Sequence, residues 1–148
     1  MKSISLVFLL VFGLSACTSE SAPNEETEPQ TGIAFFQGSW EEALTKAKTE
    51  KKLIFLDAYT EWCGPCKQMS KSVFTNEQLG AYFNENFVCY KMDMEKGEGP
   101  RMAQKLGVDA YPSLFFLDGK EKVISTNIGF HTADQLMDLG KIHSDQVD

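Results

Sequence analysis

Positive charge is in deficit. The 148 residues carry 14 Lys and Arg against 21 Asp and Glu, a formal net charge of −7. Nucleic acid is bound through a basic stripe that displaces counterions from phosphates, and an anionic membrane surface also attracts basic segments, so neither is expected as a partner held by charge. The plain consequence of the acidity is solubility. Metal ligands are scarce as well. His131 and His143 are the only histidines, and there is one Cys-x-x-Cys pair with no second pair and no His-x-x-x-His. A closed zinc site wants four ligands at recognisable spacing, so no metal is expected. Cysteine is limited to Cys17, Cys63, Cys66 and Cys89. That is not the spacing of a disulfide-dense miniature domain, and a chain of this length can bury a core without such staples. No internal repeat is present. The apolar run Ile4–Leu14 is too short to cross a bilayer comfortably as a permanent helix. What is there, 43% apolar and 24% charged residues, suits one soluble globular domain.

The first residues read as an address. In MKSISLVFLLVFGLSAC, Lys2 supplies a positive start, Ile4–Leu14 an apolar middle, and Leu14-Ser15-Ala16 leads into Cys17. This run resembles a bacterial lipobox. The resemblance implies that residues 1–16 are a lipoprotein signal peptide and that Cys17 is acylated and takes no part in redox chemistry. The acyl chains would hold the protein to a membrane, each buried methylene contributing about 0.8 kcal/mol. An ordinary signal peptide that happens to end near a cysteine is the plainer alternative. Thr18–Gly32 has four Glu, two Pro and no apolar residue larger than Ala. It cannot bury enough surface to offset its ordering entropy, so residues 17–32 are expected to be a lipidated N-terminus and a disordered acidic linker. The folded domain is then expected over residues 33–148, in the cell envelope, lipid-anchored and facing the periplasm or another extracytoplasmic space.

Within that domain, Ile33–Gly38 is a short apolar run that suits an edge strand. Ser39 and Glu42 have capping-box spacing, and Trp40, Ala43, Leu44 and Ala47 fall on one helical face. Lys46, Lys48, Lys51 and Lys52 crowd its far end, where the helix dipole favours cations. Leu53–Tyr59 is continuously apolar except for Asp57, the pattern of a central strand buried on both faces. A helix opens at the Cys63–Cys66 pair, with Pro65 in its first turn. It is expected to break near Phe74, because Thr75 and Gln78 form another capping-box pair. Phe87–Asp93 is the next strand. Pro100 and Gly107 bracket a short helix, Ser113 onwards forms a hairpin about a two-residue Asp118-Gly119 turn, and Thr132 with Gln135 caps a last helix. The order β-α-β-α-β-α-β-β-α implies an α/β fold. It is a central mixed sheet with helices on both faces, parallel where the early βαβ units cross over and antiparallel at the hairpin.

The stretch TEWCGPCKQM carries the chemistry. Two cysteines around a Gly-Pro pair can hold a metal, staple the chain, or cycle between dithiol and disulfide. At a helix start, unpaired N–H groups and the dipole stabilise a thiolate, which is the nucleophile in thiol exchange. Cys63 is therefore expected to be the exposed attacking thiol and Cys66, one turn inside, the shielded resolving thiol. Gly64 lets a partner backbone approach, and Pro65 stiffens the turn. Asp57 stands in an apolar strand, where burial raises a carboxyl pKa and makes it a usable base for the Cys66 proton; its bland alternative is a strand acid facing solvent. Cys89, in an apolar strand, reads as an inert core residue, with a regulatory thiol as the alternative.

With a strand, Trp62-Cys63-Gly64-Pro65-Cys66 and a helix in that order, the chain resembles the thioredoxin superfamily over roughly Ile33 to Ile142. Asp57, six residues before Cys63, Lys91 in the next strand and Tyr111-Pro112 ahead of another match that family too. A closer similarity is to the C-terminal domain of DsbD-type thiol:disulfide interchange proteins and to small periplasmic relatives. The resemblance implies a thioredoxin fold and a thiol-disulfide oxidoreductase with no cofactor beyond the redox-active Cys63–Cys66 pair. Cys63, Cys66, Asp57 and Lys91 would be catalytic. Trp62, Gly64, Pro65, Tyr111 and Pro112 would border the substrate, with Pro112 in a cis bond. Lys91 would tune Asp57, unless it is a lysine snorkelling to the surface. Trp62 and Tyr59 would form an aromatic rim, or simply pack. Tyr111 departs from the Thr, Val or Ile more often found before that proline, so substrate range is open. The chain lacks the large transmembrane portion of DsbD. The implied partners are protein disulfides, a DsbD-type membrane electron donor, and the membrane through Cys17, with the chain itself a monomer. Gly-Pro between the cysteines implies a reductase. A disulfide oxidase or isomerase, or a non-catalytic binding module of the same fold, are the alternatives.

Overall fold

The computed structural model describes residues 31–144 and 146; the expected signal peptide, Cys17 and nearly all of the linker lie outside the described residues. Helix α1 (Trp40–Glu50) begins on a complete capping box: the Ser39 hydroxyl accepts the Glu42 N–H, and the Glu42 carboxylate accepts the Ser39 N–H. The face read from the sequence is the buried one, with Trp40, Ala43 and Ala47 inside. Strand β1 (Leu53–Tyr59) follows, then the short helix α2 (Gly64–Gln68), which runs into one π-helical turn over Met69–Val73. Helix α3 (Glu77–Asn86), strand β2 (Phe87–Asp93), helix α4 (Gly99–Leu106), strands β3 (Ser113–Leu117) and β4 (Val123–Ile128) and helix α5 (Ala133–His143) complete the chain.

The sheet has strand order β2-β1-β3-β4. β1 runs parallel to β2 and antiparallel to β3, and β3 and β4 are antiparallel. The period of a strand divides β1 between two cores. Leu53 and Phe55 pack with Met69, Val73, Phe83 and Leu136 on the side of α2, α3 and α5. Ile54, Leu56 and Ala58 pack with Trp40, Ala47 and Met102 on the side of α1 and α4. By the same alternation Asp57 belongs with Leu53 and Phe55, on the side that carries α2. This places the acid towards the cysteine pair.

Three local expectations are corrected. Ile33–Gly38 is not a strand. Its backbone is pinned at scattered points: Ile33 N–H to the Phe74 carbonyl (2.7 Å), Phe36 N–H to the Cys89 carbonyl (2.8 Å), and Ala34 N–H to the Asn84 side chain (2.8 Å). A side chain has taken the place of a ladder partner. The cap of α3 is Asn76 rather than Thr75. Asn76 Oδ1 accepts the Leu79 N–H at 2.9 Å, while the Thr75 hydroxyl is turned back onto the Lys71 carbonyl. The β3–β4 connection is wider than two residues. Asp118 Oδ1 accepts the N–H groups of Lys120 and Lys122, and Glu121 takes a left-handed conformation (φ 64°). The Glu121 carboxylate is held there by the Trp40 indole N–H and by Lys105. Among the described residues, no helix is long and apolar enough to cross a membrane.

Candidate active site

β1 ends at Tyr59 and the chain turns through Thr60–Trp62, with the Cys63 N–H donating to the Thr60 carbonyl at 3.2 Å. Cys63 is the N-cap of α2. Its sulfur accepts the Cys66 N–H at 3.1 Å, and its carbonyl accepts the Lys67 N–H. Pro65 occupies the first turn, where a missing N–H costs nothing. Sulfur at the cap thus sits where α2 presents its unpaired N–H groups, the place that favours a thiolate. Cys63 and Cys66 are joined in a disulfide. In this oxidised state both residues are covered, 3% and 2% exposed, so the exposed Cys63 expected from the sequence is not found here. The cap sulfur lies over the first turn of the helix, where it accepts the Cys66 N–H and is bonded to Cys66. Gly64 and Pro65 lie on the surface between the two.

Behind the pair stands an ion pair. In the parallel register Asp57 lies opposite Lys91, and Lys91 Nζ is 2.5 Å from Asp57 Oδ2. Lys91 Nζ also donates to Ser70 Oγ at 3.0 Å. The ammonium lies over the Tyr59 ring at 4.2 Å, with the Phe74 and Phe35 rings at 5.3 and 5.7 Å. Lys91 is therefore no surface lysine lying along the strand; its head is 2.5 Å from a buried carboxylate, inside a half-ring of aromatics. Asp57 is fully buried, and its second oxygen, Oδ1, has no hydrogen-bond partner among the described residues. Burial pushes the Asp57 carboxyl above the usual carboxylate range, against the opposing pull of Lys91. A buried acceptor left without a donor is uncommon and costs free energy, which makes Oδ1 a natural landing place for a proton. A cleft of about 570 Å³ lined by Tyr59, Thr60, Cys66, Ser70 and Lys91 opens this region to solvent.

On the other side of the cysteines, the Tyr111–Pro112 bond is cis. The Pro112 carbonyl accepts the Gly129 N–H at 2.8 Å, and the Ser113 hydroxyl donates to the Ala110 carbonyl. Trp62 is 65% exposed. Its indole N–H donates to Glu95 at 2.9 Å, and its ring meets Tyr111 edge-on, with centroids 5.7 Å apart. The aromatic rim is thus Trp62 with Tyr111. Tyr59, expected beside Trp62, lies instead under the Lys91 ammonium. The antiparallel pairing of β1 with β3 and the contact between Trp62 and Tyr111 set the cis-proline segment alongside the cysteine motif.

Cys89 is buried, and burial pushes its thiol far above the range in which it could ionise near neutral pH. His143 packs against the Phe116 ring, and His131 Nδ1 lies 2.9 Å from the Gly129 carbonyl. Among the described residues, no group of three or more His, Cys, Asp or Glu could hold a metal ion. Sequence reasoning missed Ser70, Glu95 and the ring pair Phe35 and Phe74. Ser70 had a usable signal, because it lies four residues after Cys66 and so on the same helical face.

Similarities to known proteins bear on this arrangement. The thioredoxin-like family profile matches residues 35–119. Thioredoxin of Bacillus subtilis is 30% identical over 97 residues, covering 66% of this chain and 88% of that protein. The solution structure of a Bacteroides thetaiotaomicron protein, proposed to be a disulphide-isomerase, superposes with a TM-score of 0.69 at 44% identity, covering 80% of this chain and 98% of that one. The thiol:disulfide interchange protein DsbD of Haemophilus influenzae is 26% identical over 121 residues, which is 79% of this chain but 21% of DsbD. The chain spans about a fifth of that relative.

Proposed function

The chain belongs to the thioredoxin-like family of disulfide oxidoreductases, and from that premise we propose that it is a membrane-tethered reductase of protein disulfides acting outside the cytoplasm. The observation that carries the reading is the Cys63–Cys66 pair at the start of α2 with the buried, half-partnered Asp57 behind it. In the reduced protein Cys63 thiolate attacks a substrate disulfide. A Cys63–substrate bond forms, and one substrate sulfur leaves as a thiolate that takes a proton from solvent. Cys66 then gives its proton to Asp57, attacks Cys63 Sγ and releases the second substrate thiolate. Two electrons pass from the dithiol to the substrate, and the Cys63–Cys66 disulfide is the product. Lys91 steadies the Asp57 charge. Trp62, Gly64, Pro65, Tyr111 and Pro112 border the place where the substrate chain would lie. No cofactor is needed for this cycle.

Purified full-length protein, supplied with dithiothreitol, is expected to reduce insulin disulfides, and Cys63→Ser is expected to do no better than dithiothreitol alone. Equal rates for the two proteins would sink the reading. Direction is set by the redox potential against glutathione. A value well below about −200 mV supports the reductase, and one near about −120 mV an oxidase. The isomerase alternative has one specific support, the solved Bacteroides relative, and is separated by recovery of activity from scrambled ribonuclease without added reductant.

The tether rests on the sequence around Cys17, with residues 1–16 as its signal and 17–32 as the linker to a monomeric domain at 33–148. Cys17→Ser is expected to move the protein from the membrane to the soluble fraction of a bacterial host and to abolish incorporation of labelled fatty acid; unchanged labelling would refute the anchor. An oxidising compartment would keep the pair oxidised unless electrons were resupplied, so a membrane donor of the DsbD type is the partner this reading requires.

A further inference from the structure

Two features fix the geometry of the Asp57–Lys91 pair. The first is that the ammonium has a second anchor, Ser70 Oγ at 3.0 Å, on the π-helical turn that continues the cysteine helix. The second is that Asp57 uses only one oxygen for Lys91, leaving Oδ1 buried and unpartnered. A lysine head has three donors and a flexible stem, so one carboxylate oxygen alone does not fix it. Here it is fixed from four sides: Asp57 Oδ2, Ser70 Oγ, and the faces of Tyr59 and Phe74, with Phe35 closing the arc. Free to move, the same ammonium could swing out into the cleft or across to Oδ1.

We propose that Ser70, with the Phe35–Tyr59–Phe74 ring set, is a positioning device that locks the Lys91 ammonium on Asp57 Oδ2 and so reserves Oδ1 as the atom that exchanges a proton with Cys66. Ser70 touches no reacting atom; it acts through Lys91. The inference rests on the reading of Cys66 as resolving thiol and Asp57 as its proton acceptor. Ser70 lies one helical turn beyond Cys66, so the helix that carries the thiol also carries the anchor of the lysine that orients the base. The groups facing the pair are Tyr59 and Glu61 at the end of β1 and Cys66, Lys67 and Lys71 on the helix, while β3 contributes the apolar Leu114. Burial holds the Tyr59 hydroxyl above its ordinary range, and Glu61 is engaged by Lys96, so neither offers a negative charge that competes with Asp57 for Lys91.

The test uses the reduced full-length protein and an aromatic disulfide whose two halves absorb when freed. Attack by Cys63 releases the first aromatic thiolate and leaves a mixed disulfide. Attack by Cys66 on Cys63 Sγ breaks that bond, forms Cys63–Cys66 and releases the second. The second phase reads Cys66 alone. Ser70→Ala is expected to leave the first phase unchanged and to slow the second about 3- to 10-fold near neutral pH. Its pH profile moves up by about 0.5–1 unit, because a loosened ammonium stabilises the Asp57 carboxylate less. Ser70→Thr keeps the hydroxyl and restores the profile. In a Lys91→Met background, Ser70→Ala adds nothing further, as expected when one residue acts only through the other. A second phase unchanged by Ser70→Ala overturns the inference, as does an effect of equal size in the Lys91→Met background or a failure of Ser70→Thr to restore it. A wild-type second phase indifferent to Asp57→Asn overturns this inference together with the proton-acceptor reading beneath it. If the phase depends on Asp57 and ignores Ser70, only the positioning device falls.

Discussion

Cys66→Ala is expected to stop turnover and leave the protein bonded to its substrates through Cys63. The thiol at the helix start can still attack a disulfide without Cys66, because the N-cap position and the open dipole of α2 are untouched. What is lost is the second attack. In the native protein the two sulfurs already meet in one bond, so resolution is intramolecular. Well-oriented intramolecular steps have effective molarities of about 10⁵ M or more, which an external thiol at millimolar concentration cannot match. Multiple-turnover insulin reduction is therefore expected to fall by more than about 10³-fold. Mixed disulfides should accumulate as bands on non-reducing gels that vanish with dithiothreitol, and adding Cys63→Ser to the same chain should remove them. Turnover within a few-fold of wild type would refute the two-thiol cycle. Partners retained with both cysteines replaced would point instead to a docking module on a thioredoxin fold.

Much of this arrangement was legible from residues alone, and the reason is local. Two of the three capping boxes, at Ser39 and Thr132, the continuous apolar run of β1 and the Pro-to-Gly bracket around α4 are signals written within a few residues, and each of these appears in the structure where it was read, while the Thr75 box gave way to an Asn76 cap. Asp57 was conspicuous because an acid interrupts an apolar strand, whereas Lys91 was marked only by the thioredoxin resemblance; the parallel register then sets the two opposite each other. The errors have a common physical source. Ile33–Gly38 was misread because Asn84, 50 residues away from Ala34, supplies the acceptor a strand neighbour would otherwise supply. The Asp118 turn was misread because a side chain competes for the backbone N–H groups. Tyr59 was assigned to the rim because its contact with Lys91 depends on how β2 lies beside β1. Cys63 was expected to be exposed because a helix start is open to solvent, but its sulfur is turned over the first turn onto the Cys66 N–H.

Asp57→Asn is expected to make the oxidised protein more stable and the reduced protein slower, a pairing that a purely structural acid could not produce. Stability comes first. The folded state holds the Asp57 proton to higher pH than the unfolded chain does, since burial raises this carboxyl. Between the ordinary carboxylate value of about 3.9 and the raised folded value, the native state binds more protons than the unfolded state. Wild-type stability therefore falls as pH rises through that window. Asn does not titrate, so the advantage of Asn over Asp is small near pH 4 and grows towards neutrality. An advantage of about 1–3 kcal/mol is reasonable where a buried charge with one unpartnered oxygen is replaced by a neutral isostere. Lys91, 25% exposed in its side chain and still bonded to Ser70, is not stranded by the change. Urea unfolding of the oxidised protein from about pH 4 to pH 8 measures this difference. The rate moves the other way. An amide oxygen is no base near neutral pH, so the Cys66 proton has no buried acceptor in the variant, and resolution should slow by roughly 10²-fold at neutral pH. The deficit should shrink at alkaline pH, where Cys66 ionises unaided. A variant no more stable than wild type at pH 8 would mean that Lys91 fully compensates the buried charge. Unchanged resolution would mean that the Cys66 proton leaves by another route, through the cleft that Ser70 and Lys91 line.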